Sequence, residues 1–210
     1  FFFKQMNQTL DQNYDAKRMV FSHFVVNNKI HRGVINTCRE FLNQKRFAAL
    51  SDVSMSTPSG EEADFSPTLS IWKLDYASMC RIMSIEPTGE SRRVFDLLLE
   101  SDEREKVDAR HLILGLVNFI PTFSVHERCQ MMLEMYDVKR SETLNFDNLL
   151  DILASNHLKS RDSVSRKAKT VMKFVDQAGT GKLILDDLLD AATKFPNLLF
   201  PKHMGVLEAK

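Results

Sequence analysis

Apolar residues along this chain recur at intervals of three and four, and runs that alternate apolar and polar residues are few. That spacing predicts helices and almost no sheet. Residues 1–50 hold two predicted helices, the second near 29–50 with Val34, Ile35, Cys38, Phe41 and Leu42 on one side. Residues 51–70 are polar and contain Pro58, Gly60 and Pro67, which predicts a mobile linker or loop insertion. From Leu74 to about Lys194 the pattern is helix after helix. Ser124, with Glu127 three residues later, predicts a capping box opening a helix that ends near Tyr136. Cys129, Leu133 and Tyr136 share one face of that helix. Phe146, Leu149, Ile152 and Leu153 make the stripe of the next one, and Pro196 and Pro201 are expected to close the last helical region.

Within this pattern one arrangement repeats. Three times an apolar helix leads into about a dozen polar residues with one apolar residue near their eighth position, followed by another apolar helix. The polar stretches are 100–111, 137–148 and 176–187, and Val107, Leu144 and Leu183 fill the apolar slot. Trp72 to Met83 can supply a fourth loop end and exit helix, with Leu74 in the slot; the helix at 29–50 would enter that unit.

Helix, 12-residue loop and helix, repeated, resembles the EF-hand. The stretch from Lys73 to Pro201 is similar to the branch of that superfamily containing calaxin-, neuronal calcium sensor- and calcineurin B-like proteins. The likeness rests on Leu74-Asp75, Arg93-Val94-Phe95-Asp96, His111 to Phe119, Glu127 to Asp137, Gly181-Lys182-Leu183 and Leu198-Leu199-Phe200-Pro201. It implies an all-α fold of four helix-loop-helix units in two lobes, after an N-terminal helical extension. The expected divisions are an extension at 1–28, a lobe at 29–120, a lobe at 121–195 and a tail at 196–210. Paired units of this family bridge through their apolar eighth residues. The calaxin-like branch implies a cytoplasmic protein of the ciliary or flagellar axoneme, associated with dynein arms or doublet microtubules.

The loops depart from the family's calcium-binding pattern. Calcium takes six to eight oxygens, with a glycine at the sixth position and a bidentate carboxylate at the twelfth. The first loop offers Glu100 and Asp102, but carries Arg104, Glu105 at the glycine position and His111 at the end. The second keeps Asp137, followed by Lys139, Ser141, Glu142 at the glycine position and Asn148. The third keeps Asp176, Thr180, Gly181, the Lys182 carbonyl and Asp187, and lacks side-chain donors at Ala178 and Ile184. Asp176, Thr180, Lys182 and Asp187 are therefore the candidate metal ligands, suited at most to weak calcium or magnesium binding; no other cofactor is expected. The competing reading is that Asp137 and Asp176 cap the turns that follow them.

Composition narrows the function. With 28 basic and 28 acidic residues the net charge is zero, which argues against a nucleic-acid binder held by a basic field and against an acidic calcium buffer. Three well-separated cysteines, Cys38, Cys80 and Cys129, read as buried apolar residues in a reducing compartment. No run of 18 apolar residues predicts a membrane span. His157 and Asp162 match the H-x4-D pattern of glycerolipid acyltransferases, but His and Asp are common enough for a chance match, and this one falls in an expected solvated connector. Met131, Met132 and Met135 read as core, ahead of a partner groove; the basic run from Lys159 to Lys173 reads as a solvated face, ahead of a contact with an acidic partner such as tubulin.

The expectation is a non-catalytic adaptor that grips helical segments or a large assembly largely independently of calcium. One alternative is a calcium- or magnesium-responsive sensor working through 176–187. Another is the regulatory EF-hand domain of a larger enzyme such as a lipid acyltransferase.

Overall fold

The computed structural model describes residues 16–56, 72–99, 105–137 and 140–201, with the backbone path alone over 46–56. The chain is mostly helical. It divides into two compact units, one ending at Ile120 and the other beginning at Pro121.

In the first unit, α1 (16–27) ends in a turn where Lys29 takes a positive φ and the Ile30 amide donates to the Val25 carbonyl at 2.9 Å. This tight close buries Phe21, Phe24, Val25 and Ile30. Phe21 stacks on Phe119 at 6.2 Å. Helix α2 (Arg32–Ser56) buries Ile35, Cys38 and Leu42, the apolar face read from the sequence. It runs six residues into the segment expected to be a loop. The stretch 51–56 lacks glycine and proline, and the first breaker is Pro58. The remainder of that expected insertion, together with the Phe1-Phe2-Phe3 start, lies outside the described residues.

Strand β1 (Lys73–Leu74) pairs antiparallel with β2 (Val107–Asp108), setting Leu74 against Val107. Each strand feeds a capped helix. Asp75 accepts from the Ser78 amide at 2.7 Å to open α3 (Tyr76–Met83), and Asp108 accepts from the Arg110 amide at 2.8 Å to open α5 (Ala109–Val117). Between them, α4 (Gly89–Leu98) starts at a Thr88/Ser91 capping box whose Ser91 hydroxyl also meets Tyr76 Oη at 2.7 Å. Helix α5 is buried nearly all round, so it is the axis of the unit's core. Buried Trp72 lies under the Arg110 guanidinium, 5.6 Å from its ring.

The second unit repeats the plan. Helix α6 (Val125–Tyr136) begins at the Ser124/Glu127 capping box and α7 (Phe146–His157) at an Asn145/Asn148 box. Helix α8 (Arg161–Val175) lies along α7, and α9 (Leu185–Lys194) follows. A single backbone bridge joins Leu144 to Leu183, each amide donating to the other's carbonyl at 2.8 Å. On α6 the buried face differs from the one expected. Met131, Met132 and Met135 are buried with Cys129 and Tyr136, while Leu133 is partly exposed. The flexible thioethers fill the interior, as the core reading required.

Helix α9 ends at Lys194, just ahead of Pro196 as expected, and Pro196 also opens a further helix. It is the first residue of α10 (Pro196–Leu199), where its missing N–H has no helical partner to lose. Leu199 and Phe200 are buried. The Leu199 carbonyl accepts from Asn156 Nδ2 at 3.0 Å, and the Leu198 carbonyl from His157 Nε2 at 2.9 Å. Buried Arg128 donates from Nε to the Phe123 carbonyl at 3.1 Å and faces the Phe200 ring at 5.9 Å.

Candidate functional site

The residues to examine are those of the two loops in the second unit. In 176–187 the Asp176 carboxylate is turned inward onto its own loop. Its Oδ1 accepts from the Thr180 amide at 2.8 Å and the Thr180 hydroxyl at 3.1 Å, and its Oδ2 accepts from the Gly181 amide at 2.7 Å. The amides of Gly181 and Thr180 hold the Asp176 carboxyl below the ordinary range of an aspartate. At the far end, Asp187 Oδ2 accepts from the Ile184 amide at 2.9 Å and so caps α9. The Thr180 hydroxyl also accepts from the Lys182 amide at 3.2 Å.

Loop 137–148 has the same wiring with different residues. Asp137 Oδ2 accepts from the Glu142 amide at 2.6 Å and Oδ1 from the Ser141 hydroxyl at 3.0 Å. Asn148 Oδ1 accepts from the Asn145 amide at 3.1 Å, the service that Asp187 performs one loop later. Lys139 lies outside the described residues, as do Glu100, Asp102 and Arg104 of the first loop; His111 of that loop is on α5 and partly exposed.

The turn that normally demands glycine survives without it. Glu105, Glu142 and Gly181 occupy the sixth position of their loops and take φ of 77°, 58° and 70°. Left-handed backbone costs a residue with a Cβ roughly 1–2 kcal/mol. Glu142 holds this conformation with its amide committed to Asp137.

The four candidate ligands thus sit in one loop; the side-chain oxygens of Asp176, Thr180 and Asp187 accept from the loop's own amides, and the Lys182 carbonyl accepts from the Thr180 hydroxyl at 3.3 Å. Only two of them are carboxylates, and Ala178 and Ile184 supply no side-chain oxygen. Among the described residues no group of three or more His, Cys, Asp and Glu side chains is placed to hold a metal ion. This donor set does not fit calcium's demand for six to eight oxygens.

Two groupings escaped the sequence. His157, expected in a solvated connector, is buried at the end of α7. Lys167 Nζ lies 3.3 Å from its Nε2 and 3.4 Å from its Nδ1, and donates to the Asn197 carbonyl at 3.2 Å. Burial, followed by Lys159 nearby, pulls the Lys167 ammonium below the ordinary lysine value. Asp162, its partner in the H-x4-D match, is exposed in the first turn of α8. The second grouping is an apolar cleft in the first unit, lined by α2 (Ile35, Cys38, Leu42), α3 (Ile82, Met83) and α5 (Leu112, Ile113, Leu116). Its walls are almost wholly buried against one another, and the space between them is on the order of a single water. All three cysteines are buried free thiols, and burial pushes Cys38 up to about 11 and Cys129 up to about 12. Neither supplies a thiolate nucleophile near neutral pH.

Compared with models of known protein families and with curated proteins, the chain matches none. No helix among the described residues is long and apolar enough to cross a membrane.

Two predictions follow from the loops. The folded Asp176 carboxyl lies below its unfolded value of about 3.9, so its stabilising contribution is complete above that value and is lost as pH falls through the folded one. An NMR titration should show Asp176 titrating below the ordinary aspartates, with the Thr180 and Gly181 amides shifting in step; titration at or above 3.9 would contradict the wiring. Separately, Glu142→Gly should stabilise the protein by about 0.5–1 kcal/mol in urea unfolding, because it relieves the left-handed strain against glycine's entropy cost. Unchanged or lower stability would show that Glu142 carries no such strain.

Proposed function

We propose that this chain is a non-catalytic adaptor of EF-hand-like architecture, in which paired helix-loop-helix units serve as a fixed scaffold for a partner helix or assembly. The observation that carries the reading is the closure of the loops. Asp137 and Asp176 satisfy the amides of their own turns, and Leu144 and Leu183 bridge the two loops through paired backbone hydrogen bonds. On this reading the loop's own hydrogen bonds hold its helices, and an ion that binds without preferring a second conformation would not switch them. The calaxin-like pattern makes the axoneme, with its dynein arms and doublet microtubules, the proposed setting.

A second reading keeps a sensor role for 176–187. Gly179 and Gly181 at positive φ, with carboxylates at both ends, favour it over the other loops. Titration calorimetry separates the two. The adaptor reading predicts no saturable calcium heat in the micromolar range, no change in helicity, and recovery of the same axonemal proteins in EGTA and in calcium. Micromolar calcium binding with rearranged helices, or partners recovered only in calcium, would replace it with the sensor.

A further inference from the structure

Helix α8 buries Val164, Ala168, Val171 and Val175, which fixes the direction its opposite face looks. That opposite face carries Arg166, Lys169 and Lys173 at i, i+3 and i+7, all exposed. At 1.5 Å per residue they span about 10 Å. None of the three is in an ion pair among the described residues, although cations nearby are neutralised. Arg161 meets Asp147 at 2.8 Å and Asp151 at 3.3 Å, and Lys194 meets Asp190 at 2.7 Å. The acidic residue on the stripe's own face is Asp162, one turn before Arg166. Beside Lys173, Phe174 remains 41% exposed while standing edge-on to Phe195 at 4.3 Å.

We propose that this face of α8 docks an acidic helical segment of a partner protein. A helix carrying carboxylates at i, i+3 and i+7 has the same 10 Å period as the cations, so three charge pairs can form in register. The pairs steer the encounter and set its salt dependence, and Phe174, on the flank beside Lys173, offers a partly exposed aromatic edge. The chemistry favours this occupant over two others. A nucleic acid is held by neutralising many phosphates from a basic field, whereas this chain is neutral overall and the stripe has three cations. A lipid surface calls for several exposed apolar wedges, whereas the stripe carries none, and Phe174 on its flank is half covered by Phe195 and Lys194. The three cations lie on α8 and not in the loops, so the surface stands whether or not 176–187 binds an ion.

The test uses the whole chain and a fluorescent alanine-based helical peptide bearing glutamates at i, i+3 and i+7. Anisotropy should show saturable binding at low ionic strength that weakens about tenfold toward physiological salt. Reversal of the stripe (Arg166→Glu, Lys169→Glu, Lys173→Glu) should abolish binding, and Phe174→Ser should weaken it several-fold. The milder Arg166→Gln, Lys169→Gln, Lys173→Gln variant, checked by circular dichroism for intact helices, should also lose most of the affinity. Amide shifts on titration should map to α8. The proposal is overturned if the peptide does not saturate, if either triple variant binds it unchanged, or if phosphatidylserine vesicles or a single-stranded RNA bind through these residues more tightly than the peptide.

Discussion

Backbone contact between pairs of loops is the constraint on which each unit depends. In the second unit the reciprocal amide-to-carbonyl bonds of Leu144 and Leu183 are buried, and buried main-chain groups must find partners or cost stability. Each bridge residue stands just before the capped start of a helix, α7 after Leu144 and α9 after Leu183. The bridge therefore fixes where both helices begin, and their apolar stripes can meet in one interior. Leu74 and Val107 do the same for α3 and α5 in the first unit. Side-chain burial then reinforces the backbone, since all four residues are almost wholly excluded from water.

Short polar side chains supply the hydrogen bonds that close these turns. Asp137 and Asp176 each bind the amide five residues ahead, at the point where φ turns positive. Asn148 and Asp187 each bind the amide three residues behind. One of these closing residues is neutral and the other charged, with the same geometry, so the job at that position is acceptance from an amide, not charge. The remaining side of the second unit is closed by its last residues. Asn156 and His157 capture the Leu199 and Leu198 carbonyls, and Lys167 captures that of Asn197. These carbonyls lie at the end of α10, where no further helical turn would satisfy them.

Much of this was legible because it is local. The Ser124/Glu127 box, the helix ending at Tyr136 and the apolar eighth positions are short-range patterns whose physics acts within one turn. The features that differed depend on distant contacts or on which of several apolar residues faces inward. On α6 both Leu133 and the methionines are apolar, and only packing against neighbouring helices selects Met131, Met132 and Met135. His157 reads as a connector residue until the chain near Leu198 folds back over it, some forty positions later. Pro196 reads as a stop, which it is for α9; the short helix it also opens depends on the burial of Leu199. Within the candidate loop the donors were legible and their direction was not. Sequence assigns oxygens to Asp176, Thr180, Lys182 and Asp187; the fold turns those of Asp176 and Asp187 onto their own amides.

The central claim is that the loop bridge forms and persists without a cation. Hydrogen exchange of the Leu144 and Leu183 amides measures this directly, because each is committed to the other's carbonyl at 2.8 Å. In EDTA both amides should be among the slowest to exchange, opening only with the whole unit, and added calcium should leave their rates unchanged. Fast exchange in EDTA that slows on adding calcium would contradict the account and make the bridge a product of ion binding.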